Sequence, residues 1–278
     1  MLVAYQLRIA HTIPLHNRDS SMKETTIATA LLVVDVQRSF ENMPFWSEDG
    51  LMEYQHAQNE LIKHARAHDW PVVFVYHISR GPFELDSSLV VPTDWIDRRP
   101  EDAVFYKRVH NALSESGLQA WLDHRGIGHL VISGIRTEQC CETTARYASD
   151  AGFEVDFVLD ATHTFAMTDV HEQLVSAAEI KSRTAMVLRQ RFATVSDTST
   201  FTSKVPAGSF NRHCPRSRKP VSSDSIVEYR GYSVGFCNTG CSSSFANDPA
   251  ASGMDCLYFD RLIARHSARA AYLENGAR

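Results

Sequence analysis

The chain has 278 residues, 44% of them hydrophobic and 22% charged, so it can bury a full core and has room for a second small module. Its net charge of -5 excludes the global basic field that draws proteins onto nucleic acid or anionic lipid, and leaves a small-molecule substrate as the expected partner. No apolar run approaches the roughly 20 residues that cross a bilayer, and no apolar stretch with a small-residue cleavage site stands near the start; the reading is no membrane partner and a cytoplasmic location.

Residues 1–21 mix His, Arg, Pro and Asn without periodicity, whereas Met22-Lys-Glu-Thr-Thr26 stands directly before the first apolar run, so residues 1–27 are expected to form a disordered extension. From there, runs rich in Val, Ile and Leu alternate with amphipathic stretches. The runs are Ala30–Asp35, Pro71–Tyr76, Ala103–Tyr106, His129–Ser133, Phe153–Leu159 and Ala185–Leu188, and helices are expected near 51–68, 117–125, 139–151 and 169–183. Continuous apolar runs of this length are strands buried on both faces. The pattern therefore predicts an α/β fold over residues 28–202: a doubly wound, mostly parallel six-stranded sheet with helices on both faces. Composition then shifts to Ser, Pro, Lys and Arg, which reads as a linker over 203–212. A small cysteine-rich module is expected over 213–265, with a tail over 266–278.

In open sheets of this kind ligands bind beyond the carboxyl ends of the strands, and Asp35, His77, Lys107 and Cys140 all fall at such ends. After Leu130-Val-Ile-Ser133 the strand breaks at Gly134 and a helix begins near Cys140, where the positive helix end favours a thiolate. A thiolate attacking an amide carbonyl needs a base to take and return a proton, plus donors for the oxyanion. Asp35, with the Lys107 ammonium beside it, supplies the first.

These residues carry a resemblance. Leu32-Val-Val-Asp-Val-Gln37, Phe105-Tyr-Lys107 and Ser133-Gly-Ile-Arg-Thr-Glu-Gln-Cys-Cys-Glu-Thr-Thr-Ala-Arg146 resemble, in order, the aspartate, lysine and cysteine motifs of the isochorismatase-like cysteine hydrolases. The resemblance implies Cys140 as nucleophile, Asp35 as general base and acid, and Lys107 as the group that positions Asp35. It also implies a cis peptide between Ile135 and Arg136, with the amides of Arg136 and Cys140 aimed at the oxyanion. The complete Asp, Lys and Cys set is similar to that of the family's amidases, so a thioester-forming amidohydrolase acting on an amide or lactam is expected. Two alternatives stay open: an isochorismatase-type ether or ester hydrolase using Asp35 as acid, and a non-catalytic, metal-responsive binding protein. No catalytic cofactor is expected, because His77 lacks the partners that metal-dependent nicotinamidases of this superfamily place after the second strand. Homo-oligomers are expected from the same resemblance.

Adjacent residues at a helix start point about 100° apart, so Cys141 is expected to pack against the sheet. Arg146 is expected in a structural ion pair. Phe40, Trp46 and His77 are candidate substrate contacts.

Four of the six cysteines lie in the last quarter, and Cys214, Cys237 and Cys241 are spaced Cys-x22-Cys-x3-Cys. This is similar to small YHS- or TRASH-like metal-binding modules, which implies a hairpin, a helix over 242–247, and zinc or another transition metal held by the three thiolates, with Cys256 or His213 as fourth ligand. A further amphipathic helix is expected from Leu257 through Ala271.

Overall fold

The computed structural model describes residues 26–203 and 208–275, the side chains of 269–275 excepted. The extension expected over residues 1–27 lies, but for its last two residues, outside the described residues. Five of the apolar runs become the strands β1 (Ala28–Val34), β2 (Val72–His77), β3 (Ala103–Lys107), β4 (Ile127–Ile135) and β5 (Glu154–His163). A short hairpin, β6 (Met167–Thr168) with β7 (Leu174–Val175), and the edge strand β8 (Thr194–Ser196) follow. One six-stranded sheet runs in the order β3-β2-β1-β4-β5-β8, with every pairing parallel.

Alternation along β1 supplies both core layers. Ala30, Leu32 and Val34 pack with Leu118 and Leu122 of α2 (Leu118–His124) and Ala145 and Ala148 of α3 (Glu142–Asp150). Leu31 and Val33 pack on the other face with Leu61, Ile62 and Ala65 of α1 (Leu51–Ala67). Each fully buried Val or Leu contributes about 1.5–3 kcal/mol, so the central strands are the sheet's most strongly held elements.

The run Ala185–Leu188 is not the sixth strand. It is the last turn of α4 (Ala177–Leu188), and β8 takes its place at the sheet edge. A capping box decides this: Glu179 N donates to Ser176 Oγ at 3.2 Å, and Ser176 N donates to Glu179 Oε2 at 2.9 Å. Ile180, Thr184 and Leu188, four apart, then face the core while Met186 is exposed, so helical periodicity overrides the local apolar run. A short helix, α5 (Thr198–Thr202), closes this part of the chain.

Of the stretch read as a linker, residues 208–212 are packed. Phe210 and Asn211 are buried, and Ile27 N donates to the Phe210 carbonyl at 2.9 Å. Beyond it come the antiparallel β9 (Ile226–Tyr229) and β10 (Tyr232–Gly235), then α6 (Thr239–Asn247) and α7 (Gly253–Asn275). Asn238 caps α6 by accepting from Cys241 N at 3.0 Å. The unit has its own small core of Cys214, Val234, Phe236, Phe245 and Phe259. It is fastened to the sheet at the start of β5, where the Glu154 carboxylate accepts from the amides of Arg212 and His213 at 3.0 Å each. α7 packs along α2 and β4. Among the described residues, no helix is long and apolar enough to cross a membrane.

Gly134 sets how closely β1 and β4 approach at their carboxyl ends. It has φ +125°, and a Cβ there would lie 2.0 Å from the Val34 carbonyl oxygen. Gly134→Ala is therefore expected to destabilise the chain by at least about 2 kcal/mol, through backbone strain and overpacking together. Urea denaturation measures it, and a loss under 0.5 kcal/mol would show that the strands can part at no cost.

Candidate active site

Strand order reverses between β1 and β4, which opens a crevice beyond their carboxyl ends. Asp35 follows β1 with φ +56°, and its amide donates to the Val75 carbonyl at 2.7 Å. That left-handed turn is unusual for a residue with a side chain, and it occurs where the chain leaves the sheet. On the other lip, β4 leads through a wide helical turn, Thr137–Cys141, into α3, and Cys140 lies in that turn. The Ile135–Arg136 peptide is cis.

Lys107 ends β3, two strands away from β1, and its side chain crosses the end of β2 to reach the crevice. Its Nζ lies 2.7 Å from Asp35 Oδ2, 3.2 Å from His77 Nδ1 and 3.3 Å from Cys140 Sγ. An ammonium has three N–H donors, and here three acceptors meet them. Asp35 and Lys107 are wholly buried and Cys140 nearly so.

Electrostatics follow from this geometry. Burial works against the Lys107 ammonium, but the Asp35 carboxylate and the Cys140 sulfur outweigh it and raise its pKa. Burial and the neighbouring ammonium lower the His77 pKa, so its ring is neutral and offers Nδ1 to Lys107 while Nε2 carries the proton. The expectation of a resting thiolate fails. Burial, followed by the Asp35 charge, pushes the Cys140 thiol well above its ordinary range, and Lys107 only partly offsets them. The thiol must therefore pass its proton to a base to become a nucleophile. Asp35 Oδ1 is buried and has no hydrogen-bond partner among the described residues, so that oxygen has a free lone pair.

Three groups missed by motif reading hold the site. Gln37, two residues after Asp35, clamps the backbone of His77: it accepts from His77 N at 2.8 Å and donates Nε2 to the His77 carbonyl at 3.0 Å. It stands inside the aspartate motif, and its place just past the strand end was the available signal. Arg136 Nε pairs with Glu138 at 3.0 Å, and Thr164 Oγ1 donates to Glu138 Oε2 at 2.6 Å.

Phe40 and Trp46 join a buried aromatic cluster with Tyr54, Phe165 and Ile135, beside the cis peptide. Cys141 lies in the core layer with Ala145 and Ala148. Arg146 pairs with Glu142 at 2.9 Å.

Asp35, His77 and Cys140 have donor atoms within 4.8 Å of one another, close enough for a metal ion. A resident metal does not fit among them, because the Lys107 ammonium already occupies the space at 2.7–3.3 Å from all three. A second trio fits a metal better. The sulfurs of Cys214, Cys237 and Cys241 lie within 4.8 Å of one another. Burial raises the Cys214 thiol, but hydrogen bonds from the amides of Cys237, Ser217 and Arg216 pull its pKa down further. Of the two fourth-ligand candidates, Cys256 points at the Pro249 carbonyl, 3.2 Å away, and His213 points at Asp156.

An isochorismatase domain model matches residues 29–200, more than half of the chain. The uncharacterized isochorismatase family protein YrdC of Bacillus subtilis is 28% identical over 60% of this chain and 90% of its own length. Nicotinamidase 3 of Arabidopsis thaliana is 29% identical over 51% of this chain and 76% of its own. The ureidoacrylate amidohydrolase RutB of Variovorax paradoxus is 26% identical over 49% and 68%. The crystal structure of a cysteine hydrolase from Pseudomonas syringae pv. phaseolicola superposes with a TM-score of 0.59, covering 63% of this chain and 90% of that one at 22% identity, which shows the shared fold.

The aromatic cluster carries a pH-sensitive member. His163 is 4% exposed, stacks on Tyr54 at 5.1 Å and meets Phe165 edge-on at 5.0 Å. Burial, then Lys181, lowers its pKa to about 4. Below pH ~6.5 the unfolded chain takes up this proton and the folded chain does not, so stability falls as pH falls until about pH 4. The expected loss is up to about 3 kcal/mol. His163→Phe should narrow the stability difference between pH 7 and pH 4.5; an unchanged difference would show that His163 does not carry it.

Proposed function

The chain belongs to the isochorismatase domain family and is a hydrolase, and we propose that it is a cysteine-dependent amidohydrolase cleaving the carbon–nitrogen bond of a small amide or lactam. One observation carries the reading: a thiol, a carboxylate and an ammonium meet in one buried cluster, with Lys107 Nζ at 2.7 Å from Asp35 and 3.3 Å from Cys140. Two of the relatives, the nicotinamidase and the ureidoacrylate amidohydrolase, carry names of carbon–nitrogen hydrolases.

The steps balance as follows. Cys140 gives its proton to Asp35 and its sulfur attacks the carbonyl carbon. The oxyanion is received by the backbone amides of Arg136 and Cys140. Asp35 returns the proton to the leaving nitrogen, the carbon–nitrogen bond breaks, and an amine or ammonia departs, leaving a thioester on Cys140. Asp35 then takes a proton from water as it attacks the thioester, and Cys140 regains a proton as the acid leaves. Throughout, the Lys107 ammonium offsets the negative charge on Asp35 and the sulfur. Removing one such group typically costs 10²-fold or more.

A screen of small amides, lactams, ureido compounds and hydroxamates tests the reading. Cys140→Ala should lose at least about 10³-fold in turnover of any substrate found, with the thermal transition kept. Retained hydrolysis would overturn the thioester route in favour of an Asp35-centred ether or ester hydrolase. No turnover by the native chain would favour a binding protein.

We also propose that Cys214, Cys237 and Cys241 hold zinc or another transition metal. Soft thiolates select such ions, and a unit with so small a core gains stability from one. Ser217 Oγ donates to Cys237 Sγ at 3.1 Å and Asn238 Nδ2 at 3.2 Å, the outer contacts that orient a thiolate ligand. Cobalt(II) loaded into the full chain should show a thiolate charge-transfer band that Cys237→Ser with Cys241→Ser removes; its absence from the native chain would overturn the assignment.

A further inference from the structure

At the end of the sheet opposite the hydrolase site lies a polar cluster that this chemistry leaves unused. His129 stands near the start of β4, Asp156 near the start of β5, and His213 on the segment entering the C-terminal unit. None is more than 4% exposed. Asp156 Oδ2 lies 2.8 Å from His129 Nε2 and 3.3 Å from His213 Nε2, and one donor atom from each residue falls within 4.8 Å of the others. From this arrangement we propose that His129, Asp156 and His213 form a buried structural site for a divalent ion of the zinc, cobalt, nickel or iron class, which fastens the C-terminal segment to the sheet.

The donor set has the right chemistry. Two imidazoles and one carboxylate suit these borderline ions, and ligands held at about 2.0–2.2 Å around one tetrahedral ion stand roughly 3.3 Å apart. The His129 ring is held at both nitrogens, 2.8 Å from Asp156 through Nε2 and 3.0 Å from Thr29 through Nδ1. The carboxylates of Asp156 and Glu154 place negative charge beside the cluster, which a cation would meet favourably.

An outer contact is also in place on His129. Without an ion, both rings donate Nε2–H to Asp156. With an ion bound, those lone pairs must face it, and each proton must sit on Nδ1. For His129 a group that can receive it is in place: Thr29 Oγ1 lies 3.0 Å from Nδ1, a hydroxyl that can donate to the bare ring nitrogen or accept from a protonated one. Metal-ligating histidines are commonly held by such partners.

The test uses the full chain carrying Cys237→Ser and Cys241→Ser, which disables the thiolate trio and leaves this cluster intact. After loading with zinc or cobalt(II) and desalting, about one equivalent of metal is expected, with no thiolate charge-transfer band. Asp156→Asn, similar in size and still polar, should lose it, and Thr29→Val should weaken it about 10–100-fold while the thermal transition stays cooperative. Should Asp156→Asn fail to fold, His129→Gln takes its place. The proposal is overturned if the double-serine chain holds no metal above the level of an unrelated control, if the folded ligand variant retains it, or if Thr29→Val binds as tightly as its parent.

Discussion

Taking an ammonium wholly out of water costs several kcal/mol, and leaving it there without a counter-ion costs about 3–5 kcal/mol more than a matched pair. Lys107 is such an ammonium, and the order of the strands is arranged around it. Its three acceptors come from three different strand ends: Asp35 after β1, His77 at the end of β2 and Cys140 beyond β4. They meet only because β3, β2, β1 and β4 lie side by side and run the same way. A one-residue slip of any of these strands would turn its end group to the other face and strand a buried charge. The site therefore specifies register as strongly as register specifies the site.

The same constraint explains the smaller features around it. Gly134 lets β4 approach the end of β1, which brings the turn bearing Cys140 near Asp35. Gln37 fixes the backbone of His77, which holds its ring beside the Lys107 ammonium. Each helps keep a polar cluster satisfied where water cannot do so.

What could be read from the sequence was set by where the governing interactions lie. The inner strands were legible because their apolar runs are local, and Asp35, Lys107 and Cys140 stood out because each follows such a run. Ala185–Leu188 misled because four apolar residues cannot distinguish a strand from the end of a helix, and the capping box nine residues upstream decides between them. His77 could not be recognised as the third acceptor of Lys107 without knowing that β2 lies between β1 and β3. Likewise, His213 is adjacent to Cys214 in the chain, yet it turns away from the cysteines toward Asp156, a residue more than fifty positions earlier.

The direction of the Cys140 shift carries the chemistry furthest. A helix start contributes of order 0.3–1 kcal/mol toward an anion, and its effect fades within a turn. Burial of a thiol beside a carboxylate opposes this with a larger effect and favours the neutral thiol. A resting thiolate next to Asp35 would also put two negative charges against one ammonium in a dry pocket. The protonated thiol avoids that and leaves the Asp35 carboxylate to act as the base. On the proposed thioester route, the nucleophile would be made only when a carbonyl is at hand to take up the charge, which would restrict its reactivity to molecules that bind there.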